Sequence, residues 1–344
     1  MLPDPRHPAV QGHLAGLLPQ FDANAFDDRT VFITGGTGFF GYWLLSLFDL
    51  LAQRGIDVRV NALSRAPTRF AARAPYLASR PWLTWVRGDI RNFHDDAPAD
   101  FILHAATDTH ADAHRNPLAI MDEILLGTRH TLSHAKAAGA ARMLLVSSGA
   151  IYGPQPADVT HLREDATFAC DTCHPASAYG EAKRAAEQWS LQFGRLHGIA
   201  IPVARCFAFV GAGLPLDGHF AIGNFIGDAL AGRPIQVGGD GTPMRSYLYG
   251  ADLAIWLLQL LAHGEHGRAY NVGADEAIAI GALAETVRSV LASPQTVRIA
   301  RQGADNTLRN RYVPSIERAR HELGLDVWTP LPEAIRLTAE ALTA

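Results

Sequence analysis

The sequence has few cysteines, no long apolar run and no excess of basic residues, and each absence narrows the function. Three cysteines in 344 residues are too few for a disulfide framework. No apolar stretch reaches the roughly 18 residues that a membrane-spanning helix needs, and the first residues lack the apolar core of a signal peptide. A formal net charge of −4, without a dense basic stretch, argues against nucleic acid as a partner. We therefore expect a soluble, cytoplasmic protein that binds neither nucleic acid nor membrane.

Cys170 and Cys173 are separated by two residues, a spacing that redox and zinc sites share. A zinc site requires further ligands, and His174 is the only near candidate. We therefore expect no metal ion at this position.

Short apolar segments alternate with helical patterns along most of the chain. Strands are expected at residues 30–33, 58–63, 83–86, 101–104, 143–147 and 199–204. Such alternation with short connections predicts a parallel, doubly wound α/β sheet. A hydrophobic content of 48% suffices for one large protein with two lobes.

A glycine-rich loop separates the first strand from a buried helical pattern. Gly35, Gly38 and Gly41 follow the strand at 30–33 and precede the apolar stretch 42–48. Gly35 permits a tight turn, Gly38 lets a pyrophosphate approach the backbone, and Gly41 allows the helix to pack closely. The spacing G-x-x-G-x-x-G departs from G-x-G-x-x-G, and glycines also mark ordinary turns. The expected cofactor contacts in this loop are Gly35, Thr37, Gly38, Phe39, Phe40 and Gly41.

We expect the chain to consist of three parts, with the glycine loop near the start of the second. An N-terminal extension (1–28) precedes a Rossmann-like dinucleotide-binding domain (29–210), and a smaller C-terminal α+β lobe (mainly 211–344) binds substrate, although the lobes can interleave. In the extension we expect a short helix packed outside the fold. In the C-terminal lobe we expect a helix at 221–231, strands at 234–237 and 268–272, and a further helix that Asp252 caps.

Tyr179 and Lys183 lie four residues apart, on one face of a predicted helix. An ammonium close to the phenol favours phenolate, and lowering a tyrosine pKa from about 10 to neutrality requires about 4 kcal/mol. Ser148 ends a buried strand, where its hydroxyl can hydrogen-bond a reacting oxygen. Each residue has a structural explanation, as a surface aromatic, a solvated charge or a strand-end cap. Together with the glycine loop, the three predict a nicotinamide-dependent redox site.

These motifs resemble those of the extended short-chain dehydrogenases/reductases, in the NAD(P)-dependent nucleotide-sugar epimerase/dehydratase family. The resemblance extends from about residue 31 to about residue 330. It rests on the glycine loop, Gly88-Asp89-Ile90, His104-Ala105-Ala106, Ser147-Ser148 with Tyr152-Gly153, the Tyr-x-x-x-Lys pair, residues 239–247 and Asp252-Leu253-Ala254.

The resemblance implies roles for these positions. Ser148, Tyr179 and Lys183 are the expected catalytic group, and Tyr179 and Lys183 also contact the cofactor. Asp89 and Ile90 are expected to border the adenine. The remaining expected contacts are His104, Ala105 and Ala106 with the cofactor, and Ser148, Arg245, Arg301 and Asn224 with a nucleotide-sugar substrate, where arginine suits a diphosphate. The resemblance also implies a homodimer formed by the helix of Tyr179 and the helix that follows residue 118.

No carboxylate ends the second strand, where an acid would bind the ribose 2′-hydroxyl of NAD. The strand ends in Ser64-Arg65, which suits a 2′-phosphate, and Arg69 follows nearby. We therefore favour NADP as the cofactor. NAD is the alternative, because Arg65 can also stack on adenine or face solvent.

Gly149 and Ala150 occupy positions where 4,6-dehydratases of the family carry an Asp-Glu pair, which supplies an acid and a base. We therefore do not expect 4,6-elimination of water, and hydride transfer at a sugar carbinol or ketone remains. We favour reduction of a 4-keto nucleotide sugar. C4 epimerisation with a retained NAD is the alternative.

Asp108, His110, Asp112 and His114 follow the fourth strand and can supply a further acid or base, although a solvated polar loop is the simpler explanation. The same two explanations apply to Cys173 and His174. A different class of function is also open, since some proteins of this fold bind NADP and regulate partners without catalysis. Those proteins typically lack the Tyr-x-x-x-Lys pair, so its retention here favours an enzyme.

Overall fold

The computed structural model describes residues 2–107, 116–218, 220–300 and 311–343. The helices are α1 (His13–Leu17), α2 (Phe39–Gln53), α3 (Pro67–Arg73), α4 (Pro75–Ala78), α5 (Pro117–Ala137), α6 (Ala178–His197), α7 (Ala221–Leu230), α8 (Gly250–His263), α9 (Ile280–Val290), α10 (Glu317–Leu323) and α11 (Leu331–Thr343). The strands are β1 (Arg29–Thr34), β2 (Val58–Ser64), β3 (Leu83–Arg87), β4 (Phe101–His104), β5 (Arg142–Ser148), β6 (Val203–Cys206), β7 (Phe209–Val210), β8 (Ile235–Val237), β9 (Met244–Arg245), β10 (Leu248–Tyr249), β11 (Ala269–Val272), β12 (Ile278–Ala279), β13 (Val297–Ile299) and β14 (Arg311–Tyr312).

A seven-stranded sheet forms the centre of the molecule, in the order β3-β2-β1-β4-β5-β6-β11. Every neighbouring pair in this sheet is parallel, as the sequence predicted. The strand order changes direction between β1 and β4, where Thr34 lies opposite His104 in the register. In doubly wound sheets a ligand crevice opens at the carboxyl ends of the strands at this point.

The apolar strands supply two cores because alternate side chains of a strand face opposite sides of the sheet. Val31 and Ile33 of β1 pack in the core that contains α2 and α8, and Phe32 packs in the core that contains α5. Trp43 of α2 and Trp256 of α8 are fully buried in the first core. Both faces of the sheet are therefore covered by helices.

The sixth strand begins later than the sequence predicted. Residues 199–202 follow the edge of β5, where Met143 N donates to Ala200 O and Leu145 N donates to Pro202 O. Strand β6 begins only at Val203, because Pro202 has no N–H with which to continue a ladder.

The prediction that the N-terminal extension packs outside the fold is wrong. Val10, Leu14 and Phe26 are fully buried in the same core as α2 and α8. The Tyr249 hydroxyl donates to Ala9 O at 3.0 Å, and the His13 ring packs edge-on against Tyr249. The extension is therefore part of the hydrophobic core.

The chain from residue 211 onward forms most of the second lobe and also contributes a helix and a strand to the central sheet region. Short sheets pair β10 with β7, β9 with β12 and β14, and β8 with β13. Helix α8 packs in the main core, and β11 pairs with β6 as the last strand of the central sheet. Within residues 250–272, α8 thus packs on the central sheet and β11 is one of its strands.

Asp252 does not cap α8, contrary to the prediction, because the helix begins at Gly250, with Tyr249 as its N-cap. The carboxylate is fully buried and accepts hydrogen bonds from Trp328 N, Thr329 N and Thr329 Oγ1. It therefore ties α8 to the segment before α11. Within the described ranges, no helix combines the length and apolarity that crossing a membrane requires.

Candidate functional site

The glycine loop connects β1 to α2 through backbone approaches that no side chain would allow. Gly35 has φ +78°, and a Cβ there would lie 2.7 Å from the carbonyl carbon of Ala105. A Cβ at Gly41 would lie 2.2 Å from the carbonyl carbon of Gly36, so α2 packs directly on the loop. Gly38 is the exposed N-cap of α2, and a Cβ there would have no neighbour closer than 3.7 Å. The loop therefore leaves its backbone open at a helix N-terminus, an arrangement that suits an anion.

Thr34 and His104 join the ends of β1 and β4 beneath this loop. Thr34 Oγ1 accepts from Ala105 N and Ala106 N, both at 3.1 Å, so its proton is directed to His104 Nδ1 at 2.9 Å. His104 Nε2 then donates to Thr128 Oγ1 at 3.0 Å. Burial, together with the nearby Lys183 charge, lowers the pKa of His104 to about 3. The imidazole is therefore neutral, and its ring is held within the fold.

Lys183 is a buried ammonium between β4 and β5. Its Nζ donates to Thr107 Oγ1 at 2.8 Å and to Val146 O at 3.0 Å. Burial lowers the pKa of Lys183 to about 8, and the carboxylates of Glu187 and Glu123 act in the opposite direction. The ammonium is thus held at the carboxyl edge of the sheet, close to its titration range.

Tyr179 lies one helical turn before Lys183 on α6, as the spacing predicted. Its ring centroid lies 5.9 Å from Lys183 Nζ. The half-buried ring packs with Ile120 and Ile124 of α5 and with Ala182 of α6. This packing holds the phenol ring close to the Lys183 ammonium.

Ser148 caps the short 3₁₀ turn Gly149–Tyr152, and its Oγ accepts from Ala150 N at 3.1 Å. Helix α6 packs against this turn, because a Cβ at Gly180 would lie 2.7 Å from Ala150 O. The first turn of α6, which carries Tyr179, therefore lies directly against the turn that follows Ser148.

Gly149, the residue after Ser148, is closely surrounded by aromatic side chains. A Cβ at Gly149 would lie 2.7 Å from Phe207 Cζ and 2.7 Å from Tyr312 Oη. The rings of Phe207 and Tyr312 are 4.6 Å apart, and Tyr152 packs on Phe207. Residue 149 can therefore carry no side chain unless these rings move.

Basic side chains gather where β2 and β3 end. Arg65 is exposed directly after Ser64, and Arg87 is exposed opposite Ser64 in the register. Arg91 donates to both carboxylate oxygens of Asp89, and this contact, with the Arg65 charge in addition, lowers the pKa of Asp89 to about 2. The Asp89 carboxylate is thus already bound by Arg91, while Arg65 and Arg87 are exposed. Ile90, next to Asp89, is buried against Gly127 of α5.

The predicted substrate residues lie on different elements of the second lobe. Asn224 is on α7, and its Nδ2 donates to Gly218 O at 2.9 Å. Arg245 is on β9, between β12 and β14 and opposite Tyr312, and its Nη1 donates to Met244 O. The remaining predicted residues, Arg301, Asp108, His110, Asp112 and His114, lie outside the described residues.

The cysteines of the C-x-x-C sequence lie in different environments. Cys170 Sγ donates to Ala150 O at 3.2 Å, and Cys173 is exposed. Burial raises the pKa of the Cys206 thiol, which is therefore neutral. In the part of the chain that the structure describes, no group of three or more His, Cys, Asp or Glu side chains could hold a metal ion.

Sequence reasoning missed Thr34, Thr107 and Thr128. Thr107 extends the His104-Ala105-Ala106 sequence by one residue, so a signal for it was present. Thr128 follows His104 by 24 residues and comes from another element, and no local pattern reveals that contact.

The description NAD dependent epimerase/dehydratase family belongs to the family model that matches residues 31–273. A UDP-glucuronic acid decarboxylase 1 from Danio rerio is 28% identical over 319 residues, covering 91% of this chain and 72% of the relative.

Solved structures of related enzymes share the fold. A UDP-N-acetylglucosamine 4-epimerase from Methanobrevibacter ruminantium has a TM-score of 0.79 at 20% identity, covering 92% of this chain and 99% of the other. A dTDP-glucose 4,6-dehydratase from Streptomyces venezuelae, with NAD bound, has a TM-score of 0.75 at 23% identity, covering 91% and 97%.

The buried ammonium predicts a pH-dependent stability. The folded-state pKa of Lys183 is about 8, below the ordinary value of 10.5. The folded protein therefore binds fewer protons than the unfolded chain between these values, and stability rises with pH in that window. We expect the free energy of unfolding of the wild type to gain up to about 3 kcal/mol relative to Lys183→Met between about pH 8 and pH 10.5.

Urea unfolding at several pH values measures this difference. Lys136→Met, at an exposed lysine of α5, is the matched control and should follow the wild type at every pH. Parallel curves for wild type and Lys183→Met would show that the ammonium bears no burial cost.

Proposed function

We propose, since the chain belongs to the NAD dependent epimerase/dehydratase family, that it transfers a hydride between a nicotinamide cofactor and a carbinol or ketone carbon of a nucleotide-linked sugar. The observation that carries this proposal is the Tyr179–Lys183 pair on α6, packed against the turn that Ser148 caps. The nucleotide-sugar part is supported by the relatives, which are named as enzymes of UDP- or dTDP-linked sugars.

The glycine loop fits a dinucleotide. Gly38 leaves an open backbone at the N-terminus of α2, where a pyrophosphate would be held by N–H groups and the helix dipole. The side chains that would hold the rest of the cofactor are Ser64, Arg65, Ile90, Tyr179 and Lys183, with the backbone at Ala105 and Ala106. When bound, the nicotinamide ring supplies or accepts the hydride.

Tyr179 carries the proton that accompanies the hydride. In the reducing direction its phenol gives a proton to the ketone oxygen, and in the oxidising direction the phenolate takes the hydroxyl proton. Lys183 favours the phenolate through its charge, and Ser148 Oγ–H hydrogen-bonds the reacting oxygen. These roles require only the groups that α6 and β5 bring to one edge of the sheet.

Reduction of a 4-keto sugar is our preferred reaction. Elimination of water needs an acid and a base besides Tyr179, but residues 149 and 150 are glycine and alanine. Phe207 and Tyr312 occupy the space that a side chain at 149 would need. Ketone reduction needs no group there.

The similarity to UDP-glucuronic acid decarboxylases favours a second candidate. Oxidation at C4 of a glucuronic acid places a ketone β to the carboxylate. The carboxylate then leaves as CO₂, C5 gains a proton, and the hydride returns to C4. This sequence also needs no side chain at 149, so the aromatic side chains around Gly149 are compatible with it.

Incubation of the protein with NADPH and a panel of nucleotide 4-keto sugars tests the preferred reaction. NADPH fluorescence should fall with turnover, and Tyr179→Phe should lower kcat by at least ~10²-fold, because the proton donor is lost. Tyr76→Phe, at a tyrosine bound to Asp49 outside the site, is the control and should keep its activity.

Other outcomes identify the alternatives. Release of CO₂ from UDP-glucuronic acid without net NADPH loss would indicate the decarboxylase. Bound NAD that survives dialysis, with C4 inversion, would indicate an epimerase. Tight NADP binding without turnover on any substrate would contradict the enzyme and indicate a regulatory protein.

We also propose that NADP is the preferred cofactor, since Arg65 and Arg87 are exposed at the end of β2 and β3 and can bind a 2′-phosphate. Arg65→Ser should weaken NADPH binding by at least ~10-fold, the cost of one charge-assisted contact, and leave NADH binding unchanged. Arg54→Ser, at the exposed end of α2, is the matched control. Titration of cofactor fluorescence measures both affinities, and equal losses for NADH and NADPH would contradict the assignment.

We propose that two copies pair through α5 and α6. Large apolar side chains are exposed on these two helices, namely Leu118 (73%), Leu126, Trp189 and Leu196 (77%). Light scattering should give twice the mass of one chain for the wild type and one chain mass for Leu118→Glu/Trp189→Glu, because charge cannot be buried there without a partner. Ile299→Glu, at an exposed residue of β13, should remain dimeric. A monomeric wild type would contradict the proposal.

A further inference from the structure

A buried ion pair between α6 and β6 lies next to the candidate catalytic residues. Glu187 follows Lys183 by one turn of α6, and Arg205 is on β6. Arg205 Nη2 donates to Glu187 Oε2 at 2.8 Å, and its Nε lies 3.2 Å from both carboxylate oxygens. Their side chains are only 14% and 13% exposed, so both charges are largely withdrawn from water.

The pair reaches the strand that carries Ser148. Ser147 Oγ donates to Glu187 Oε1 at 2.5 Å, and Ser147 is the neighbour of Ser148 at the end of β5. One carboxylate is therefore bonded to both β5 and β6 from a position one turn beyond Lys183.

The pair also reaches the turn that Ser148 caps. Arg205 Nη1 donates to Tyr152 Oη at 2.8 Å and to Glu164 O at 3.0 Å. Tyr152 ends the turn Gly149–Tyr152, and its own hydroxyl donates to Asn271 Oδ1 of β11 at 2.8 Å. Helix α6, strands β5 and β6 and the turn Gly149–Tyr152 are thus joined through one guanidinium and one carboxylate.

Stability alone does not explain such a pair. Removing two charges from water costs several kcal/mol, and replacing a buried ion pair with apolar residues of similar volume is often neutral or stabilising. What apolar packing does not supply is direction, because bonds to a carboxylate and a guanidinium fix distances and angles.

We infer that Glu187 and Arg205 are positioning residues that fix Ser148 relative to Tyr179 and Lys183. This inference rests on the proposed function, in which these three groups act on one oxygen. The ion pair sets the place of α6 along β5 and β6, and so sets where the phenol, the ammonium and the serine hydroxyl meet.

Glu187 has a second effect through its charge. Burial lowers the pKa of Lys183, and the Glu187 carboxylate opposes that effect. Among the described residues, the other titratable groups that face Lys183 are Cys206 of β6, Glu123 of α5, His104 of β4 and Tyr179 of α6. Neutralising Glu187 should therefore lower the pKa of Lys183 further. The alkaline limb of the kcat–pH profile, where Lys183 loses its proton, should then move to lower pH.

The experiment compares Glu187→Gln and the double variant Glu187→Met/Arg205→Met with the wild type. Thermal unfolding, kcat, KM and the pH profile are measured, and crystal structures report the distance from Ser148 Oγ to Lys183 Nζ. Glu322→Gln is the matched control, because it neutralises the partner of Arg268 in an exposed ion pair.

We expect the double variant to unfold within a few degrees of the wild type while kcat falls by at least ~10-fold with a smaller change in KM, since misplacement of about 1 Å lowers rates by this order or more. Glu187→Gln should shift the alkaline limb to lower pH, and Glu322→Gln should do neither. Unchanged kcat in the double variant, or an unchanged Ser148–Lys183 distance, would overturn the inference.

The inference can still be tested if the double variant does not fold or if the wild type is inactive. If the double variant does not fold, Glu187→Gln alone decides, because it keeps the volume and removes only the charge. If the wild type turns over no nucleotide sugar, the proposed function fails, and the crystallographic distance still decides whether the pair positions Ser148 and Lys183.

Discussion

The structure depends on the burial of one ammonium group. Lys183 donates to Thr107 after β4 and to Val146 within β5, so α6 cannot move along the sheet without breaking a charged hydrogen bond in a buried place. A lysine is almost never buried without such partners. Because Tyr179 lies on α6 and Ser148 ends β5, the same contact helps to hold the elements that carry the phenol and the hydroxyl next to each other.

Two sets of close approaches complete that edge of the sheet. On one side, Gly35 brings β1 against the backbone after β4, while Thr34 and Thr128 hold His104 between them. On the other side, Gly180 brings α6 against the turn after β5. The contacts therefore run from the glycine loop to the proposed catalytic residues through backbone and buried side chains, with little contribution from exposed residues.

Much of this could be predicted from the sequence, since the signals are local. The apolar strands, the glycine loop and the four-residue spacing of Tyr179 and Lys183 depend on neighbouring residues, and the parallel sheet follows from their alternation. The errors concern contacts between distant segments. Nothing near Leu14 indicates that it packs against α8, and nothing near Asp252 indicates that its partners are Trp328 and Thr329. For the same reason the contact of Gly149 with Phe207 and Tyr312 could not be predicted from any one motif.

The crowded surroundings of Gly149 constrain how this chain can diverge. Introducing a carboxylate there first would force it into two rings, whereas trimming Phe207 or Tyr312 first would open room for it. The order of substitutions thus matters, because a side chain at position 149 would require the ends of these two rings to shift. With these rings in place, a proton-transfer side chain at position 149 requires that Phe207 or Tyr312 move first.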